Sequence, residues 1–197
     1  MKEYKLPLES FVGGYMAPAE LCDEIMDYFH NNKDKQYTGT VAHFEVKPEI
    51  KESTDIMLWP HDLFPPFNKY RKHLQNCVEA YQKKYTAVKQ YVNFNVAKPY
   101  LIQHYPKGGG FKEWHFEKAG YPQIIKRNLV FMTYLYDVPN AGTDFKYQKL
   151  RVPCKKGLTL IWPAGFTHTH KGVITKKHEK TIVTGWFEVI WQEKYEI

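Results

Sequence analysis

The feature that most constrains this chain is a succession of short β-forming runs, each closed by turn residues. Residues 127–137, 143–148, 157–162 and 180–190 read as strands. Pro139-Asn140-Ala141-Gly142, Pro153 and Pro163-Ala164-Gly165 separate them. Upstream, 91–105 reads as one or two strands with a break near Lys98-Pro99, followed by the loop signal Tyr105-Pro106-Lys107-Gly108-Gly109-Gly110. Many short strands at close spacing imply a β-sandwich or jelly roll. An aromatic content of 16% points the same way, because Tyr and Phe suit pleated, half-buried surfaces.

The N-terminal half has a different texture. Residues 1–16 read as an extended lead-in closed by Gly13-Gly14, and Pro18 suits a helix first turn. Leu21, Ile25, Tyr28 and Phe29 follow at helical spacing, and the helix ends near Asn31-Asn32. Residues 39–48 and 53–58 read as strands. A second helix over 66–85 carries the stripe Phe67, Tyr70, Leu74, Cys77, Val78, Tyr81 and Tyr85, with Lys72 and His73 toward its solvated side. The expectation is a mainly β chain with α-helical buttresses. It forms one domain over 1–197, with 1–90 as helical and strand support and 91–190 as the catalytic β-core.

At 197 residues, with 43% apolar and 25% charged, the chain can bury a full core. Its net charge of +7 is spread in short clusters such as Lys83-Lys84 and Lys176-Lys177, with no block that marks a nucleic-acid module. Cys22, Cys77 and Cys154 lie too far apart for a CxxC site and are odd in number. The N-terminal residues lack an apolar signal core and no apolar run reaches bilayer length, so a cytoplasmic location is expected.

The chemistry-bearing residues lie between Tyr105 and Phe187. On a strand, His115 and Glu117 share a face and present an imidazole beside a carboxylate. A further histidine from a distant strand would complete a two-histidine, one-carboxylate facial triad, the ligand set of non-haem Fe(II) oxygenases. His168 and His170 share a face by parity and both compete for that place. In the run that follows, Lys180, Ile182, Thr184 and Trp186 fall on one face; Thr181, Val183, Gly185 and Phe187 fall on the other. A lysine on a cavity-facing strand needs an anion to offset its burial.

His115-Phe116-Glu117, His170, Lys180 ten residues later and Thr184-Gly185-Trp186-Phe187 together resemble the Fe(II)/2-oxoglutarate-dependent dioxygenases of the prolyl 4-hydroxylase-like branch. The matched stretch, about 101–190, covers nearly half the chain. The resemblance implies a double-stranded β-helix, or jelly roll, with iron held by His115, Glu117 and His170. The spacing to Lys180 favours His170 over His168, which is left to hydrogen-bond a ligand or substrate. It further implies that Lys180 and Tyr134 take the distal carboxylate of 2-oxoglutarate, and that Tyr105, ahead of the Gly-rich turn, and Thr184 line the pocket. Trp186 is expected as a wall rather than a polar contact. Two departures stand out: Glu where Asp is commoner, and Lys where Arg is commoner.

The implied activity is hydroxylation of an organic substrate, a peptidyl proline or another protein side chain, using O2 and releasing succinate and CO2. Ascorbate is an optional addition. The loop 118–126 and the segment 43–58 are placed to groove the entrance. Two alternatives are a nucleic-acid demethylase of the same class, disfavoured by the lack of a stacking platform, and a jelly-roll binding module that keeps a relic metal site. The oligomeric state is not legible.

Overall fold

The strand Arg127–Tyr134 is buried on both faces along most of its length, and this two-sidedness sets the architecture. The structure, a computed structural model, describes residues 1–41, 45–90 and 93–190. In chain order these form β1 (Lys2–Tyr4), β2 (Gly13–Met16), α1 (Ala19–Asn31), β3 (Tyr37–Thr38), β4 (Lys51–Glu52), β5 (Thr54–Leu58) and α2 (Pro65–Lys84). Then follow β6 (Asn93–Asn95), β7 (Tyr100–Tyr105), β8 (Gly110–Phe111), β9 (Arg127–Tyr134), β10 (Val138–Phe145), β11 (Leu150–Cys154), β12 (Leu158–Pro163), β13 (His170–Val173) and β14 (Lys180–Ile190).

All pairings are antiparallel. A nine-stranded sheet runs β1-β2-β12-β9-β14-β7-β5-β3, with β6 also on β14. A three-stranded sheet, β11-β10-β13, and the pair β4-β8 complete the strands. The result is a jelly roll whose large sheet is covered on one side by the helices and on the other by the small sheet. Between helices and sheet lie Phe67, Tyr70 and Tyr81 of α2, Leu21 and Ile25 of α1, and Phe131, Val183 and Phe187 of the sheet. Each such large side chain contributes about 1.5–3 kcal/mol on burial. Between the sheets lie Val130, Met132 and Tyr134 of β9, Trp162, Ile182, and Phe145 and Val152 of the small sheet.

Helix signals read well. Pro65 opens α2, where its missing N–H is harmless. Gly185 of β14 is required by close approach: a Cβ there would lie 2.5 Å from both Phe131 Cζ and Tyr100 Cβ.

Four expectations are corrected. His73 is buried, not solvated: its Nε2 lies 2.8 Å from Thr159 Oγ1, and burial lowers its pKa to about 4. Thr133 Oγ1 sits 2.8 Å from both Thr159 Oγ1 and Tyr70 Oη, so a polar thread ties α2 to the sheet. Gly13-Gly14 belongs to β2 and does not close a lead-in. The turn expected at 139–142 is instead the irregular start of β10, where pairing slips between Val138 and Gly142. Gly142, at φ 153°, lies so close to β11 that a Cβ would meet Val152 O at 2.0 Å. No strand forms at 39–41 or 45–48, where one was expected over 39–48, and β3 ends before it at Thr38; residues 42–44 of that expectation, and 91–92 of the one at 91–105, lie outside the described residues.

Candidate metal centre

His115, Glu117 and His170 converge, with one ligand atom from each lying within 4.8 Å of the others. The two imidazole Nε2 atoms stand 3.5 Å (His115) and 3.7 Å (His170) from Glu117 Oε1. Local structure differs from expectation here. His115 and Glu117 do not sit on a continuous strand; a single antiparallel bridge, His115 to His170, brings the loop to the first residue of β13. His115 N donates to His170 O at 3.0 Å, and His170 N donates back to His115 O at 2.8 Å. The backbone itself thus joins two of the three candidate ligands.

Both imidazoles have a defined tautomer. His115 Nδ1 lies 2.9 Å from Glu113 O and His170 Nδ1 lies 2.8 Å from His168 O. A carbonyl only accepts, so each Nδ1 carries a proton and each imidazole presents its Nε2 to Glu117. Burial, and next the neighbouring His115, lower His170 to about 4. Burial pushes the Glu117 carboxyl up, but His115, Arg127 and His170 outweigh it and hold it at about 2. Of these, Arg127 is the permanent charge. The two imidazoles, uncharged as ligands of a metal must be, and the carboxylate offer three donor atoms to one cation. Donors sharing one first-row metal at about 2.0–2.2 Å each approach to about 3–4 Å, so the residues present fit such an ion.

Aromatic walls hold the imidazoles. Phe111 stacks on His115 with ring centroids 3.6 Å apart, and Trp162 meets His170 edge-on at 5.0 Å. His168 is not on a strand with His170: it lies in a short 3₁₀ turn, and its Nε2–H donates to Ser10 O at 3.0 Å. Its carbonyl, not its imidazole, serves the site.

A cavity of about 590 Å3 between the sheets joins this cluster to Lys180, Tyr134, Tyr105, Thr184 and Trp186. Residues 40–41, 45, 47, 50–51 and Ile124 also line it. Tyr105 Oη donates to Gln103 Oε1 at 2.7 Å, and Tyr134 Oη lies 2.6 Å from Thr143 Oγ1. Thr184 Oγ1 donates to Phe131 O at 3.1 Å.

Two buried ammonium groups line the cavity, and they differ. Lys51 Nζ lies 2.6 Å from Asp55 Oδ2, with side chains 4% and 1% exposed. Lys180, also 4% exposed, reaches only Val173 O, at 3.4 Å, and passes 5.2 Å from the Tyr105 ring centroid. Among the described residues no carboxylate lies within ion-pair distance of Lys180. Burial lowers its pKa.

Trp186 departs from its expected role as a passive wall: its indole Nε1–H donates to Glu117 Oε2 at 3.0 Å. Arg127, which sequence reasoning passed over, donates to the same oxygen at 3.0 Å and stacks on the Trp186 ring at 3.4 Å. Simple alternation puts Arg127 with Leu129 and Phe131 on the helix side. The register shift between Phe187–Leu129 and Glu188–Arg127 leaves Asn128 as an extra residue and turns Arg127 to the cavity. No signal in the sequence marks that bulge.

Comparison with solved structures agrees with this architecture. A prolyl 4-hydroxylase from Pseudomonas putida aligns at TM-score 0.68 and 14% identity, over 91% of this chain and 93% of that one. The fold is that of the prolyl 4-hydroxylases. A viral collagen prolyl hydroxylase of Paramecium bursaria Chlorella virus-1, solved with 2-oxoglutarate, shares the prolyl hydroxylase fold at TM-score 0.66 and 16% identity, over 91% and 97%. A Trichoplax adhaerens prolyl hydroxylase, solved with a peptide of hypoxia-inducible factor, gives 0.66 and 13%, over 86% and 76%. No family model and no curated protein matches the sequence.

Proposed function

We propose that the chain is an Fe(II)- and 2-oxoglutarate-dependent dioxygenase that hydroxylates an organic substrate. The observation that carries this reading is the contrast between the cavity's two buried lysines. Lys51 is neutralised by Asp55, whereas Lys180 meets no carboxylate among the described residues and shares its cavity with two imidazoles and a carboxylate. A buried ammonium of this kind is stabilised by an anionic ligand. A dicarboxylate that chelates a metal through one end supplies the second carboxylate at the other.

In this reading His115, Glu117 and His170 hold the metal, and 1–197 acts as one domain. Bound iron supplies activation of O2 coupled to decarboxylation of 2-oxoglutarate, with succinate and CO2 released and one oxygen transferred to substrate. Lys180 binds and orients the distal carboxylate, with Tyr134, Tyr105 and Thr184 shaping the pocket around it. Tyr134 and Tyr105 stay protonated, since burial raises both pKa values, so they offer hydrogen bonds without adding charge. The Nδ1–H bonds of His115 and His170 to Glu113 O and His168 O aim each Nε2 at the metal position. Ile182, Met132 and Trp162 exclude water from the reacting centre.

The fold neighbours solved with 2-oxoglutarate and with a peptide support a flexible protein segment as substrate, peptidyl proline first. No helix among the described residues is long and apolar enough to cross a membrane, which fits work in the cytoplasm. The test is anaerobic titration of the protein with Fe(II) and 2-oxoglutarate, followed by aerobic incubation with proline-containing peptides. The expected results are a weak visible charge-transfer band, succinate release, and a peptide that gains one oxygen. A protein that gives neither band nor succinate is instead a binding module.

A further inference from the structure

The metal-centre reading leaves Arg127 and Trp186 without a task. We propose that these two side chains clamp one oxygen of Glu117, so that this glutamate offers a metal only the other. The inference rests on His115, Glu117 and His170 being metal ligands.

The two carboxylate oxygens are already divided. Oε1 faces the imidazole nitrogens at 3.5 and 3.7 Å. Oε2 faces away from them and accepts two hydrogen bonds at 3.0 Å, from Trp186 Nε1–H and Arg127 Nη1–H. An unrestrained carboxylate can bind a cation through one oxygen or both. With Oε2 committed to two donors, one of them charged, the second mode is closed. A coordination position that a bidentate glutamate would fill is then kept for small ligands.

The clamp also accounts for glutamate at this position. Its side chain has one more rotatable bond than aspartate and would wander in a site built for a single geometry. Arg127 Nη1 donates to Glu117 O at 3.1 Å as well as to Oε2, so one nitrogen binds both ends of the residue and folds the longer side chain back on itself. Arg127 in turn is held by its stacking on Trp186, and the extra residue Asn128 in β9 is what aims it. Arg127 and Trp186 are therefore positioning residues, acting through Glu117.

The experiment uses the metal-free full chain titrated anaerobically with Co(II), a visible stand-in for Fe(II). Affinity and the ligand-field spectrum are read for wild type, Arg127→Met, Trp186→Phe and the double variant. Trp186→Phe keeps the ring and removes only the N–H, so it tests the clamp even if Arg127→Met does not fold. Each single variant is expected to bind Co(II) about 10–100-fold more weakly, the range for loss of a partner that orients a metal ligand. The band intensity should also change as a freed Oε2 alters coordination number. The double variant should lose more than either single one, because each single change leaves one donor on Oε2. Wild-type affinity and spectrum in both single variants overturn the clamp and leave the metal centre standing. A wild-type protein that binds no Co(II) overturns the metal-centre reading and the clamp with it.

Discussion

The two faces of β14 make the most informative comparison in the molecule. Thr181, Val183, Gly185 and Phe187 turn toward the helices; Lys180, Ile182, Thr184 and Trp186 turn toward the cavity. The helix face is packed by the protein's own side chains. Val183 and Phe187 pack against aromatic rings, and the buried hydroxyls of Thr133, Thr159 and Tyr70 find one another. The cavity face is left incomplete, with an ammonium that meets no carboxylate among the described residues and three converging metal-ligand side chains. One strand thus carries stability on one side and binding on the other, separated only by side-chain alternation.

The strongest way to break this comparison is to empty the helix face. Phe131→Ala should cost about 3–5 kcal/mol of unfolding free energy, by denaturant titration. Affinity for 2-oxoglutarate per folded molecule should hold. A comparable loss of affinity would mean the faces are not separable.

Lys180→Met should act with the opposite sign. Removing a buried charge that lacks a partner should raise ligand-free stability by about 1–3 kcal/mol. It should also weaken 2-oxoglutarate binding by more than tenfold, measured by calorimetry. A variant that is less stable and binds normally would show that Lys180 is structural.

A third test compares two buried histidines, His73 on the helix face and His170 on the cavity face, both at about 4. Below the ordinary value near 6.5 the unfolded chain takes up protons that the folded chain refuses. Stability is therefore complete above pH 6.5 and falls as pH drops from 6.5 to 4, by about 1.4 kcal/mol per pH unit for each histidine. Of these two histidines only His170 is a candidate Fe(II) ligand; its folded form already takes up no proton between pH 6.5 and 4, so bound Fe(II) should leave its slope there unchanged and carry the loss on below pH 4. His73→Gln should flatten the slope equally with and without metal. Denaturant melts at several pH values read both.

The smallest effect is expected at Thr184→Val, which removes the hydrogen bond to Phe131 O and should cost about 1 kcal/mol. Binding should change little, since that hydroxyl is already engaged by the backbone.

Much of this was legible in the residues. The helix stripes at Leu21, Ile25 and Phe29 and at Phe67, Tyr70, Leu74 and Tyr81 are buried, because periodic apolar side chains leave one side for packing. The split of β14 into two faces follows from alternation alone. His73 was misplaced because a polar side chain beside a lysine looks solvated until a partner hydroxyl, 86 positions away, comes into reach. Trp186 was misread because an indole offers a ring and a donor, and its neighbours decide which is used.

Sequence by itself determined the mainly β composition, the helical braces and which residue types could gather at a metal. These follow from local periodicity and side-chain chemistry, which each short stretch carries with it. The spacing to Lys180 already favoured His170 over His168; only the tertiary structure supplied the means, a backbone bridge across 55 positions, from 115 to 170. It alone brought Arg127 into the site, because a bulge depends on the register of two paired strands, and register is a property of the pair that neither strand specifies alone.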